Sequence, residues 1–241
     1  MPNPFFQFKQ FTIYHDRCAM KVTTDGCFFG AWVAEEIKKE KRKIKNALDI
    51  GAGTGILSLM IAQKNKIAID AVEIDKDASQ QAKENIEASP WKNQIHIFNE
   101  DIVSFQPGKK YDCIISNPPF YENELASEKQ KRNIAHHSER LTISEVLKVI
   151  KIYLIEDGIF FLMLPFKRRE EIENLFCKND LFVLSTVILS QSVKHSPFRV
   201  IVKGTTKKIT SKRPDSIAIW NEHQQYTSQF IDILKDYYLY L

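Results

Sequence analysis

From Asn46 the chain alternates short apolar runs with polar stretches in which apolar residues return at helical spacing. NALDI (46–50), AIDAVEI (68–74), IHIFNED (95–101), YDCIISN (111–117) and GIFFLMLP (158–165) read as strands. Ile56 to Gln63, KDASQQAKENIEAS (76–89), Leu141 to Leu154 and Lys167 to Lys178 read as the helices between them. Strands separated by helices imply right-handed parallel crossovers and a doubly wound α/β sheet. LFVLSTVILS (181–190) and RVIVKG (199–204) follow with no helix between them, so they are expected to pair antiparallel as an edge hairpin. The total is seven strands, mostly parallel.

Residues 1–44 form an extension to the domain expected over 45–241. In it FFQFKQF alternates aromatic and polar residues like a strand, Thr24-Asp25-Gly26 is a turn signal, and CFFGAWVAEEI (27–37) starts a helix. KKEKRKIK (38–45) reads as a solvated connector.

Composition narrows the class. The chain has 241 residues, of which 44% are hydrophobic and 27% charged, which supports one large packed domain and excludes disorder as the dominant state. No apolar run approaches the ~18 residues of a membrane span. The N-terminus carries two early prolines and no basic head, unlike a signal peptide. Four scattered cysteines, without metal-ligand spacing, suit reduced thiols in a cytoplasmic protein, and no metal is expected.

Net charge is +4, but its distribution is uneven: from Leu181 to Pro214 there is no acidic residue against seven basic ones. Lys207, Lys208, Lys212 and Arg213 in that stretch, with Lys9, Arg17 and Lys21 in the extension, are candidate polyanion contacts. A solvated strand and loop would look the same.

The strand NALDI runs into Gly51-Ala52-Gly53-Thr54-Gly55. Glycines let the backbone turn sharply and approach a bulky ligand, while the next helix offers free N–H groups. The spacing is GxGxG, not the GxGxxG of most dinucleotide sites, and Asp49 stands at its mouth. An acid there suits a ligand with a cationic portion, such as the methionyl part of S-adenosylmethionine, better than a pyrophosphate. Glu73, at the end of the second strand, is placed to bind ribose hydroxyls. Asp101, ending the third, can accept from an adenine amine.

Asn117-Pro118-Pro119-Phe120 follows the fourth strand, at the edge where open α/β sheets bind ligands. The prolines remove two N–H donors and leave carbonyl acceptors. An amine conjugated to a ring or carbonyl is a poor nucleophile because its lone pair is delocalised. The Asn117 side-chain oxygen and the Pro118 carbonyl can each accept one of its N–H bonds and turn the lone pair toward an activated methyl. Phe120 can stack on the planar group, a contact worth ~1–3 kcal/mol.

GAGTG, VEID and NPPF together resemble the class I adenosylmethionine-dependent methyltransferases, whose fold is a Rossmann-like seven-stranded sheet with an antiparallel hairpin. More specifically, Phe8-Lys9-Gln10-Phe11, the run His15 to Val22, Thr24-Asp25-Gly26, Gly30-Ala31-Trp32, EASPW (87–91) and the ending DYYLYL resemble the bacterial tRNA1(Val) adenine-37 N6-methyltransferases. The likeness spans nearly the whole chain. It implies transfer from S-adenosylmethionine to adenine 37 of a tRNA. Asp49, Gly51, Gly53 and Gly55 would hold the methionyl portion, Glu73 the ribose, and Asp101 and Ile102 the adenine of the cofactor. Asn117, Pro118, Pro119 and Phe120 would carry the target base, with Asn117 also facing the cofactor, and Thr24 and Asp25 would belong to a lid. The stretch EKQKRNIAHHSERLT (128–142) departs from that family's pattern at His136-His137.

Other readings share parts of this pattern. The same transfer to another RNA or DNA base, or to a protein glutamine amide, poses the same electronic problem. A non-catalytic RNA-binding module needs none of the cofactor residues, and a nicotinamide oxidoreductase has no use for NPPF. A monomer or weak homodimer is expected.

Overall fold

The structure, a computed structural model, describes residues 3–118, 141–209 and 213–241. A short antiparallel pair, β1 (Phe5–Gln7) and β2 (Thr12–Tyr14), precedes helix α1 (Thr24–Lys39). The sheet then builds as β3 (Asn46–Ile50), α2 (Ile56–Lys64), β4 (Ala68–Val72), α3 (Lys76–Glu87), β5 (Ile95–Phe98) and β6 (Tyr111–Ser116). After it come α4 (Ile143–Tyr153), β7 (Leu154–Pro165), a 3-10 turn (Phe166–Arg168) and α5 (Arg169–Lys178). The chain closes with β8 (Phe182–Ser192), β9 (Pro197–Thr205), β10 (Asp215–Trp220) and α6 (Ser228–Leu234).

The strand order is β10-β8-β9-β7-β6-β3-β4-β5, with β9 antiparallel to both neighbours and every other pairing parallel. This corrects the expected seven strands to eight among the described residues. The eighth is DSIAIW: as β10 it pairs parallel along β8 and covers the hairpin's outer side. The expected antiparallel hairpin, β8–β9, lies toward this edge of the sheet, with β10 added along its outer side.

Alternation along the strands sorts the core into two layers. Cys113 and Ile115 face the layer built by α1, α2, α3 and α6, whereas Ile114 faces the layer of α4 and α5; Tyr111 joins the second layer because the register shifts between it and Cys113. The extension shares the first of these cores: Phe28, Phe29 and Trp32 of α1 are buried with Leu59, Met60 and Phe230. Gly30 lets α1 and α2 approach, since a Cβ there would meet Met60 Sδ at 2.8 Å. Packing thus runs without a break across the expected 44/45 boundary.

The Thr24-Asp25-Gly26 turn is a second correction, because these residues are the first turn of α1. Thr23 caps the helix by accepting from the Gly26 N–H at 3.2 Å, and Asp25 complements the helix dipole. At the chain's other end, Phe8 bridges Tyr238, and Tyr237 Oη donates to the Met60 carbonyl at 2.8 Å, so both termini close on α2.

Candidate active site

The carboxyl ends of β3, β4, β5 and β6 lie side by side, with Ile50 level with both Val72 and Ser116. The glycine turn leaves β3 here. Gly51, Gly53 and Gly55 have φ of +72°, +55° and +79°, a region that L side chains enter only at a cost. A Cβ on Gly51 or Gly53 would meet nothing within 4 Å, so these positions open onto free space. Both Gly51 and Ala52 donate their N–H to the Val72 carbonyl, at 2.9 and 3.1 Å, tying the turn to β4.

Asp49 lies beneath this turn, fully buried, rather than in its mouth. Ser58 Oγ donates to its Oδ2 at 2.7 Å, while Oδ1 has no hydrogen-bond partner. Burial, with the negative charge of Glu73 adding to it, pushes the Asp49 carboxyl up to about 6. Glu73 fastens the turn from the side: Oε2 accepts from Gly53 N–H at 2.8 Å and Oε1 from Asp75 N–H at 2.9 Å. Burial raises its pKa as well.

Asp101 is exposed and starts a turn, with Oδ1 accepting from Val103 N–H at 2.9 Å; the Ile102 side chain beside it is core. Asn117 emerges half-buried one residue beyond β6, and Pro118 is buried. Pro119, Phe120 and the pair His136-His137 lie outside the described residues.

Several positioning residues carried no motif. Asn99 Nδ2 donates to the carbonyls of Glu73 and Ile74 at 2.9 and 3.0 Å, fixing the β4 exit. Ser116 Oγ donates to the Ile50 carbonyl at 2.8 Å and locks β6 to the start of the glycine turn. The segment from His15 to Val22 passes over the site. Cys18 is buried close enough to Glu73 and Asp75 that, after burial itself, their charges help push its thiol up to about 11. Met20 Sδ lies 4.0 Å from Asn117 Nδ2. His15 holds this segment at its two ends, accepting from Val22 N–H at Nδ1 (3.4 Å) and reaching the Asn3 carbonyl from Nε2 (2.9 Å). The neighbours of Glu73 and Asn117 from this part of the chain are thus Cys18 and Met20 rather than Thr24 and Asp25. Asp25 is instead engaged with Arg199 Nε at 2.8 Å, and Thr24 is exposed at the helix start.

Similarity to known proteins identifies the family. Residues 31–150 match the family described as Methyltransferase small domain. A tRNA1(Val) (adenine(37)-N6)-methyltransferase of Parabacteroides distasonis is 35% identical over 99% of both chains. One of Pectobacterium carotovorum is 38% identical over 98% of this chain and 94% of its own. The chain belongs to the tRNA1(Val) (adenine(37)-N6)-methyltransferase family. In fold it is similar to a predicted O-methyltransferase from Agrobacterium tumefaciens, with a TM-score of 0.67 at 13% identity, covering 87% of this chain and 95% of that one. The fold is the Rossmann-like sheet of class I methyltransferases.

Within this family member the basic residues singled out by charge do not gather at one place. Lys21 stands next to Met20 at the mouth, and Arg17 is paired with Glu84 on α3. Lys9 is held at the C-terminal tail, donating to the Lys235 carbonyl at 2.6 Å. Lys207 and Lys208 follow Thr205, which is level with Ile159 at the amino end of the parallel strands, and Lys207 pairs with Asp157 at 3.3 Å. These two lysines therefore do not flank the mouth: β9 runs antiparallel and carries them to the opposite edge. Arg213 is exposed ahead of the outermost strand, and Lys212 lies outside the described residues. No helix among the described residues is long and apolar enough to cross a membrane. Nor, among them, do three or more His, Cys, Asp or Glu side chains group so as to hold a metal ion.

Proposed function

We propose that this chain transfers a methyl group from S-adenosylmethionine to the N6 amine of adenine 37 in tRNA1(Val), in the cytoplasm. The observation that carries the reading is the place of Asn117-Pro118: one residue past β6, locked through Ser116 to the glycine turn of β3. Full-length similarity to enzymes of that name supports the substrate.

The residues present fit the cofactor. Asp49 Oδ1 is a buried acceptor that the protein leaves without a donor, which draws an amine toward the turn. Gly51 and Gly53 leave open the space that any side chain would fill. Glu73 retains acceptor capacity for a ribose diol beside its backbone bonds, and Asp101 Oδ2 is open for an adenine amine. S-adenosylmethionine supplies a methyl made electrophilic by the sulfonium that carries it.

Asn117 Nδ2 points to Met20, which leaves Oδ1 to accept one N–H of the target amine, and the Pro118 carbonyl accepts the other. Holding both protons on acceptors draws the nitrogen out of conjugation and aims its lone pair. Phe120, assigned from the sequence motif, stacks on the base. The proton leaves after transfer, so orientation and fixed dipoles carry the catalysis and no charged base is required. The adenine reaches Asn117 by swinging out of its loop, at a cost of a few kcal/mol that pocket contacts offset.

Labelled S-adenosylmethionine and unmodified tRNA1(Val) test the proposal, with nucleoside analysis of the digest. N6-methyladenosine at position 37 is expected. Label on another nucleotide or on a protein glutamine would keep the chemistry and change the substrate. Cofactor binding without transfer to any of these would favour the non-catalytic module.

A further inference from the structure

The register of the sheet points to a different RNA surface from the one that charge counting selects. Ser116 is level with Leu162, Leu162 with Val202, and β9 begins at Pro197, five residues before Val202. At about 3.3 Å per residue the β8–β9 turn projects roughly 16 Å beyond the end of β6, two strands to its side. It therefore stands beside the mouth from which Asn117 emerges. The same edge receives the exit of β7, where Pro165 pairs with Arg199 and the 3-10 turn carrying Lys167 packs against β9.

This projection is braced. Val193 N–H donates to the Trp220 carbonyl at 3.1 Å, joining the turn to the end of β10. Ser192 Oγ accepts from Lys194 N–H at 3.2 Å and contacts His195 Nδ1 at 2.6 Å. Arg199 is tied to Asp25 of α1, with its guanidinium 5.5 Å from the centre of the Phe198 ring. Val193, Lys194, His195 and Ser196 are exposed on this fixed frame, as is Lys167. Among the described residues neither Lys167 nor Lys194 has a carboxylate within ion-pair distance, whereas Lys207 has Asp157. A stiff, cationic ridge next to an amine-binding mouth suits the phosphates flanking an extruded base, since phosphate contacts set register without reading sequence.

We propose that Lys167 and Lys194 form a phosphate-contacting ridge that docks the tRNA beside Asn117, and that Lys207 and Lys208 do not dock it. The inference rests on the tRNA reading above. The test uses the full chain with unmodified tRNA1(Val) transcript, comparing K167E/K194E with K207E/K208E. Binding is measured across salt concentrations and methyl transfer at saturating cofactor. The ridge variant is expected to raise the tRNA Kd and KM about tenfold and to flatten the salt slope by about 1.5, as two lost phosphate contacts require. Its kcat and its affinity for S-adenosylmethionine should stay within about twofold. K207E/K208E should leave all of these within about twofold. If the ridge variant does not fold, as judged by cofactor binding, K167Q/K194Q carries the test with a smaller loss of about threefold. Wild-type transfer to tRNA with an unaffected ridge variant, or a larger loss in K207E/K208E, overturns the ridge alone. Absence of tRNA binding and transfer in the wild type overturns the tRNA reading and the ridge together.

Discussion

Ser58 Oγ donates to Asp49 Oδ2 at 2.7 Å, while the buried Oδ1 of the same carboxylate has no hydrogen-bond partner. With the group pushed up to about 6, the folded chain binds a proton more readily than the unfolded one. Stability of the ligand-free protein should therefore rise as pH falls from about 6 toward 4, and be lower above that window. Asp49→Asn should stabilise the free protein at pH 7 by about 2 kcal/mol and remove this pH dependence, measured by urea unfolding. The same substitution should weaken S-adenosylmethionine binding, because the ionised carboxylate favours the cofactor's cationic end. In the wild type that affinity should drop below pH 6 by up to about tenfold per unit. A pH-independent affinity would separate Asp49 from the ligand.

Gly53 and Gly55 share a left-handed backbone but not their surroundings. A Cβ at Gly53 faces open space, whereas one at Gly55 would touch Ala82 and Ile86 at 3.5 and 3.6 Å. Either alanine should cost about 1 kcal/mol in backbone strain. Gly53→Ala should in addition lower cofactor affinity by more than tenfold, since its methyl enters the space in front of the turn. Gly55→Ala should cost mainly stability. Calorimetric titration beside thermal unfolding separates the two, and equal losses of affinity would contradict the assignment of that space to the ligand.

Asn85 joins three elements from the last turn of α3. Its Nδ2 donates to the carbonyls of Tyr14 and Thr54, both at 2.9 Å, and its Oδ1 accepts from Tyr14 N–H at 3.0 Å. The side chain thereby fixes β2, from which residues 15–22 continue, to the glycine turn. Asn85→Ala should destabilise by about 2 kcal/mol, or roughly 4–8 °C in Tm. It should also make residues 15–22 more open to limited proteolysis and weaken cofactor binding. Faster cleavage elsewhere, with the segment unchanged, would show that β2 is held by other contacts.

Much of this fold can be read in the chain because local signals and tertiary context agree there. NALDI is a strand buried on both faces, and both its apolar run and the glycines after it say so. Thr24-Asp25-Gly26 misleads because glycine is a turn signal, while the deciding group is the hydroxyl of the preceding Thr23, a helix cap. DSIAIW has fewer apolar residues in a row and follows Pro214, and becomes a strand by pairing along the free edge of β8. The glycine turn, Glu73 and Asn117 are visible because they stand at strand ends and are the residue types that the proposed ligand chemistry would require there. Asn99 and Ser116 are not, since they act through backbone carbonyls that any hydrogen-bonding side chain can reach. The displacement of Lys207 and Lys208 from the mouth follows from strand direction, and a count of charges carries no direction.

In the proposed reaction Asn117 is the residue on which the chemistry turns. It lies half-buried beyond β6 with Nδ2 4.0 Å from Met20 Sδ, outside the bonds that hold the glycine turn together. Removing its side chain should leave the cofactor site standing while withdrawing one of the two acceptors from the amine. Asn117→Ala should therefore lower kcat by about 10²–10³, the usual cost of losing one oriented polar group in an active site. The Kd for S-adenosylmethionine should change less than threefold and Tm by no more than about 2 °C. Asn117→Asp separates the acceptor role from charge: its oxygen can still accept, so partial activity at neutral pH favours the acceptor role. Loss of cofactor binding along with activity in Asn117→Ala would instead make Asn117 a support of the glycine turn, acting through Ser116 and Ile50.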